Sequence, residues 1–315
     1  MAQPSAPDLR QVALPPDKII RRLKKPRTFP GGIVAEVAAG FRALAATTVQ
    51  TADLTFPPIR PLPITASNGG GAIGTGLPVQ LIFWGNAWNT GGPNPAAGTI
   101  INAVRSILAG PWMSGLRQYG IRRCNFGSSM VVTNPTPPAT FVDGDVEDLV
   151  WALIDDNKFA EPDESGGRNL YMVFLPPGSN YGPGGIRGKH VVASDFDFPA
   201  DIDRAWVGFV LFNTLNTILS TFTHELAEMC TDPESDAWTV TGSPPEIGDV
   251  CNAVDGPVNG VNVQSYWSAT DNACLIPTAW SLRRALRWSG HVLAGKGLSS
   301  IQKPIQSLNK FVVDL

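Results

Sequence analysis

The sequence predicts an α/β protein in which a mixed sheet packs on one long helix, and three observations predict it. Short apolar runs typical of buried strands, V-Q-L-I-F-W at 79–84 and L-Y-M-V-F-L at 170–175, alternate with segments of helical periodicity. A long apolar stretch beginning at 205 leads into a stripe formed by Leu215, Ile218, Leu219, Phe222, Leu226 and Met229, which Pro233 ends. The chain of 315 residues is 43% hydrophobic, enough to bury the core of one large domain or two small ones.

Taken in order, residues 1–63 read as a basic N-terminal arm. Lys18, Arg21, Arg22, Lys24, Lys25 and Arg27 precede a short helix whose Ile33, Val37, Phe41 and Leu44 share a face. Residues 64–277 read as the folded domain, entered through a glycine-rich, flexible lead-in at 64–76. A first strand at 79–84 is followed by a helix at 99–108 and a strand at 124–133. A helix at 146–157 follows, with Asp143 and Asp145 placed to suit its dipole. The strand at 170–175 and a glycine-rich loop at 181–188 lead to a strand at 190–193. The long helix is expected from about 207 to 230. Residues 278–315 read as a C-terminal amphipathic tail carrying Arg283, Arg284 and Arg287, with His291 in a structural role.

Composition excludes several function classes. A net charge of −3 gives no drive toward nucleic acid. The stretch 205–222 is interrupted by Asn213, Thr214, Asn216, Thr217, Ser220 and Thr221, too polar for a membrane span, and reads as a buried core helix. Residues 1–27 lack the apolar core and small-residue cleavage site of a signal peptide. No G-x-S-x-G elbow occurs, and the glycine run at 69–76 lacks the G-K-[ST] ending of a phosphate loop. Of four cysteines, Cys251 and Cys274 form the most plausible bridge in an exported protein, while Cys230 reads as a small buried apolar residue.

The chemistry concentrates in T-H-E-L-A-E-M-C-T-D-P at 223–233. His224 and Glu228 stand four apart, so on a helix they share one face and can hold one ion. Glu225 lies one step round, where a general base for a metal-activated water belongs. This is the geometry of the zincin H-E-x-x-H helix with glutamate in place of the second histidine. A zinc site needs a third protein ligand and an open position. Asp249, in the acidic cluster E-I-G-D at 246–249, is the first choice, with Glu246 and His190 as rivals. Two carboxylates on one Zn²⁺ reduce its Lewis acidity, so another divalent metal is an alternative. Asp232 and Asp236 read as cap and turn residues.

The order of these segments resembles the phosphate-induced (EXORDIUM-like) family over roughly residues 78–277. The matching pieces are V-Q-L-I-F-W-G-N-A-W at 79–88, L-Y-M-V-F-L at 170–175, the His190 segment, T-H-E-L-A-E-M-C-T-D-P with D-A-W at 223–238, and P-E-I-G-D-V-C at 245–251. The resemblance implies a zincin-like HELAE helix like that of bacterial relatives described as metalloproteases, and places His190, His224, Glu225, Glu228, Glu246 and Asp249 on the family's motif positions. It also implies a secreted, extracellular protein. The expectation is therefore a zincin-like single domain acting as a zinc-dependent peptidase on a peptide or protein substrate. The competing expectation is a non-catalytic extracellular growth or binding protein with a structural metal. Oligomeric state is not legible.

Overall fold

A computed structural model describes residues 9–14, 53–57, 64–89, 92–162, 169–194, 204–241 and 246–279. The basic run and short helix expected before residue 53, and the tail from 280 with His291, lie outside these residues. The protein is mixed α/β, built on a six-stranded sheet that is mostly parallel. Its strands are β1 (Arg10–Ala13), β4 (Pro78–Trp84), β5 (Asn125–Asn134), β7 (Leu170–Phe174), β9 (Gly188–Ser194) and β10 (Arg204–Val210). They lie in the order β1-β5-β4-β7-β10-β9, and the single antiparallel pairing puts β9 on one edge.

Helices cover both faces, as a buried, mostly parallel sheet requires. Helices α1 (Ala97–Ala109) and α3 (Leu215–Thr231) pack on one face, and α2 (Asp143–Asp155) packs on the other. The period-two alternation of the strands divides the core accordingly. Leu81, Phe83, Met172, Phe174 and Trp206 meet α1 and α3, whereas Ile82, Trp84, Val173, Val207 and Phe209 meet α2. α2 starts three residues before its expected position, because the Asp145 carboxylate accepts from the Val142 N–H at 2.8 Å and satisfies a free donor at the helix start.

Three expectations are corrected. The long helix does not begin near 207: Ala205–Val210 belong to β10, and α3 starts at Leu215 behind the N-cap Thr214, whose hydroxyl accepts from Thr217 N. The run A-W-V-G-F-V is aromatic and β-branched, and it completes the sheet with every residue buried. Gly208 also lacks the Cβ that would stand 2.9 Å from the sulfur of Met229, so α3 can lie flat on the strand.

The lead-in at 64–76 is not a loose linker. β3 (Ala66–Asn68) pairs with β11 (Trp238–Val240), and Gly69, Gly71 and Gly74 donate to the carbonyls of Ala237, Asp236 and Cys230. These glycines serve close backbone approach, since a Cβ on Gly71 would collide with Asp236.

Parts of the expected arm also belong to the body. β1 joins the edge of the main sheet, and β2 (Leu54–Phe56) pairs with β15 (Ala273–Ile276), beside β14 (Tyr266–Ser268). A hairpin of β12 (Asp255–Val258) and β13 (Val261–Gln264) lies against α3. The short pair β6 (Thr140–Phe141) and β8 (Asn180–Tyr181) completes the described strands.

Candidate metal centre

The C-terminal half of α3 carries its polar residues against the β9 edge and the 246–251 turn. Each support has a local cause. β9 presents Gly188, His190 and Val192 toward α3, with His190 opposite Gly208. Gly188 is required there, because a Cβ would stand 2.4 Å from the Thr221 methyl and 2.9 Å from Glu225 Oε1. The turn carrying Glu246 and Asp249 is held by Trp267 N–H donating to Ile247 O and by the Cys251–Cys274 disulfide into β15. That pairing is the one favoured from the sequence. Thr223 anchors the hairpin, its hydroxyl accepting from Gln264 N at 2.9 Å.

These supports bring all six sequence-derived candidates together. His224 Nε2 lies 3.3 Å from Glu228 Oε1 and 3.6 Å from Asp249 Oδ1. His190 Nδ1 lies 3.5 Å from both Glu225 Oε2 and Glu228 Oε2, and its Nε2 lies 3.3 Å from Glu246 Oε1. The donor atoms form two triads able to hold a metal ion, His224/Glu228/Asp249 and His190/Glu225/Glu228. Asp249, Glu246 and His190, three rivals for one place in the sequence, thus occupy three places around the same cluster.

The donor set fits a cation better than it fits itself. Charge-assisted hydrogen bonds close to about 2.7–2.9 Å, and these imidazole–carboxylate separations are all longer. Donors about 2.1 Å from a tetrahedral zinc stand about 3.4 Å from one another, close to what is observed. Glu228 Oε1, Glu246 Oε1 and Asp249 Oδ2 are buried without a hydrogen-bond partner, although Glu225, Glu228 and Asp249 are each more than nine-tenths buried. Buried carboxylate oxygens are costly in that state, and an ion would satisfy them.

Protons are held tightly in the absence of an ion. Burial pushes Asp249 up to about 7, and Glu246 and Glu225 add to the shift against the opposing charge of His224. Burial likewise carries Glu228 well above the usual carboxylate range, with Glu246 contributing. Burial works against a proton on His224, but the charges of Glu228, Glu225 and Asp249 outweigh it and raise the ring to about 9. His190 is raised well above its ordinary value by the same contest, with Glu246 the main opponent of burial. Glu246 goes the other way: His190 overcomes burial and lowers it.

Two contributors escaped the sequence reading. Gln264 Nε2 lies 2.7 Å from His224 Nδ1 and donates to Gly248 O at 3.0 Å, which turns the opposite ring nitrogen toward Glu228 and Asp249. An amide N–H can only donate, so this contact makes Nδ1 an acceptor and puts the ring proton on Nε2. A histidine ligand instead donates from its second nitrogen, so ligation through Nε2 requires the Gln264 amide to turn over. Nothing in the sequence around Gln264 marks it, since the contact spans 40 residues. Gly248 does carry a signal, as the glycine of E-I-G-D. A Cβ there would stand 2.7 Å from Glu228 Oε1, so only glycine lets the turn close on the helix.

Asp232 caps α3 as expected, its Oδ1 accepting from Ala237 N at 2.6 Å. Cys230 is buried, with its sulfur 3.7 Å from that of Cys124. A small cleft lined by Trp84, Pro135, Pro138, Asp145 and Leu149 shares no residue with the cluster and offers no imidazole. Among the described residues no helix is long and apolar enough to cross a membrane. Comparison with protein-family models, with curated proteins and with solved structures returns no match.

Proposed function

We propose that this protein is a zinc-dependent hydrolase of the peptidase type, zincin-like in presenting its ligands from one long helix and related to the EXORDIUM-like proteins. The observation that carries the reading is the geometry at His224. Its Nε2 stands 3.3 and 3.6 Å from Glu228 and Asp249, each of which keeps a buried oxygen without a hydrogen-bond partner. His224, Glu228 and Asp249 would hold the ion, which when bound supplies Lewis acidity toward a carbonyl and a water.

The chain's own residues do the rest. Glu225, one position along α3 from His224, takes the proton of the attacking water and returns it to the leaving amine nitrogen as the C–N bond breaks. His190, 3.5 Å from the Glu225 carboxylate, orients it. His190, His224 and Glu246 are partly exposed and form the side from which a peptide carbonyl enters. The Cys251–Cys274 disulfide supports an oxidising, extracellular setting.

The test is cleavage of a peptide library by protein purified without chelators, alongside Glu225→Gln. The variant should lose about 10²- to 10⁴-fold in turnover while the ion of the His224 triad stays bound. Equal activity in the two proteins would remove Glu225 as the base. Burial favours a second reading, a binding or growth-signalling protein with a structural ion, because Glu225 and Glu228 are only 3% and 2% exposed. Stoichiometric zinc without cleavage of any peptide supports that reading.

A further inference from the structure

We propose that the cluster is built for two divalent cations bridged by Glu228, the second lying between His190, Glu225 and Glu228. The inference rests on the reading of His224, Glu228 and Asp249 as a metal site and adds a position that the zincin-type pattern does not contain.

The division of the Glu228 carboxylate is the first argument. Oε1 faces His224 at 3.3 Å, and Oε2 faces His190 at 3.5 Å. The donors accordingly fall into two triads with Glu228 common to both, rather than into one shell. A single ion beside His224 leaves Oε2 and Glu225 facing an imidazole at a distance that suits a shared cation and is long for a charge-assisted hydrogen bond.

Charge is the second argument. Glu225, Glu228, Glu246 and Asp249 carry four negative charges when ionised, and two ligating imidazoles are neutral. One divalent ion leaves two charges uncompensated in a cluster where Glu225, Glu228 and Asp249 are almost wholly buried, whereas two divalent ions cancel them.

Orphaned atoms mark the shared carboxylate and the first position: Glu228 Oε1 and Asp249 Oδ2 are buried without hydrogen-bond partners. Glu246 stands beside His190 Nε2 and leaves Nδ1 turned to Glu225 and Glu228. The backbone also makes room twice, with Gly248 against Glu228 and Gly188 against Glu225. The donors are imidazole nitrogen and carboxylate oxygen, a set suited to Zn²⁺, Mn²⁺ or Fe²⁺. With the second ion present, one Glu225 oxygen is a ligand and the other remains to accept a proton.

The full chain, stripped with chelator and titrated with Zn²⁺ alone, tests this by elemental analysis after gel filtration. The expected count is two ions per chain, falling to one in His190→Ala and to one in Asp249→Asn. The Mn²⁺-loaded protein should give the exchange-coupled resonance spectrum of a metal pair. A wild-type count of one at saturation overturns the pair and leaves the single-ion reading standing; a count of zero overturns both. Two ions retained by folded His190→Ala overturns the pair as placed. Should that variant fail to fold, the wild-type count and the Mn²⁺ spectrum decide.

Discussion

Lys189 and His190 are neighbours on β9, and their side chains leave the sheet on opposite faces. Lys189 reaches the first turn of α2 and closes on Asp143 at 2.6 Å, with Tyr181 donating to the same carboxylate. His190 turns to α3 and meets three carboxylates, none nearer than 3.3 Å. The first arrangement is a finished ion pair, half in water. The second is buried, more heavily charged and more loosely spaced.

The helices differ in the same sense. The buried residues of α2 (Val146, Leu149, Val150, Trp151, Ala152, Leu153 and Ile154) are all apolar, while α3 buries Thr221, Thr223, Glu225 and Glu228 beside its leucines. Folding alone favours the α2 solution, since buried charge costs more than its pairing returns unless every partner is satisfied. The α3 face therefore has a composition that could hold a metal ion and that stability alone does not favour.

The largest effect that sharpens this contrast comes from the apolar face. Leu153→Ala should cost about 2–5 kcal/mol in denaturant unfolding and leave metal content unchanged. Loss of metal at full occupancy of the folded state would show the two faces to be coupled. On the other face, Glu228→Leu combined with His224→Leu should abolish metal uptake, yet in chelator the double variant should equal or exceed the parent in stability, by up to about 4 kcal/mol. A less stable metal-free variant would mean that Glu228 and His224 support the fold itself.

Proton linkage acts on the α3 face with one sign for stability and the opposite sign for metal uptake. In metal-free protein Asp249 titrates at about 7 rather than 3.8, and His224 at about 9 rather than 6.5. Both groups bind protons more tightly when folded. Their stabilisation is therefore complete below the unfolded values and is lost as pH rises through about 7 for Asp249 and about 9 for His224. Metal uptake must run the other way, because the ion displaces those protons. Apparent zinc affinity should rise between about pH 6 and 9, with proton release read by calorimetry in buffers of different ionisation heat. Uptake without proton release would break the argument. The smallest effect belongs to the half-buried pair on the α2 face: Lys189→Met should cost about 0.2–1 kcal/mol, weaken with salt in the parent, and leave the metal count unaltered.

How much could be read in advance varies with the range of the interaction. The strand at 79–84, the strand at 170–175 and the stripe of α3 were legible because burial imposes a period within a few residues. The start of α3 was misplaced because apolar Ala205–Val210 suits a buried strand as well as a helix, and only pairing with β7 and β9 chooses between them. The lead-in glycines read as flexibility in the sequence, yet they serve contact with the 236–237 backbone. His224 and Glu228 declared themselves by helical spacing, whereas Gln264 had no local signal at all.

The chain alone determined the strands at 79–84 and 170–175, the helix face that unites His224 with Glu228, and the identity of the other acids, because these depend on residue chemistry and short periodicity. Tertiary structure decided what lies across from that face. The antiparallel edge strand delivers His190, the disulfide-anchored turn delivers Glu246 and Asp249, and two glycines let them approach. Convergence of groups tens of residues apart depends on register and packing over the whole sheet, and no local pattern encodes it.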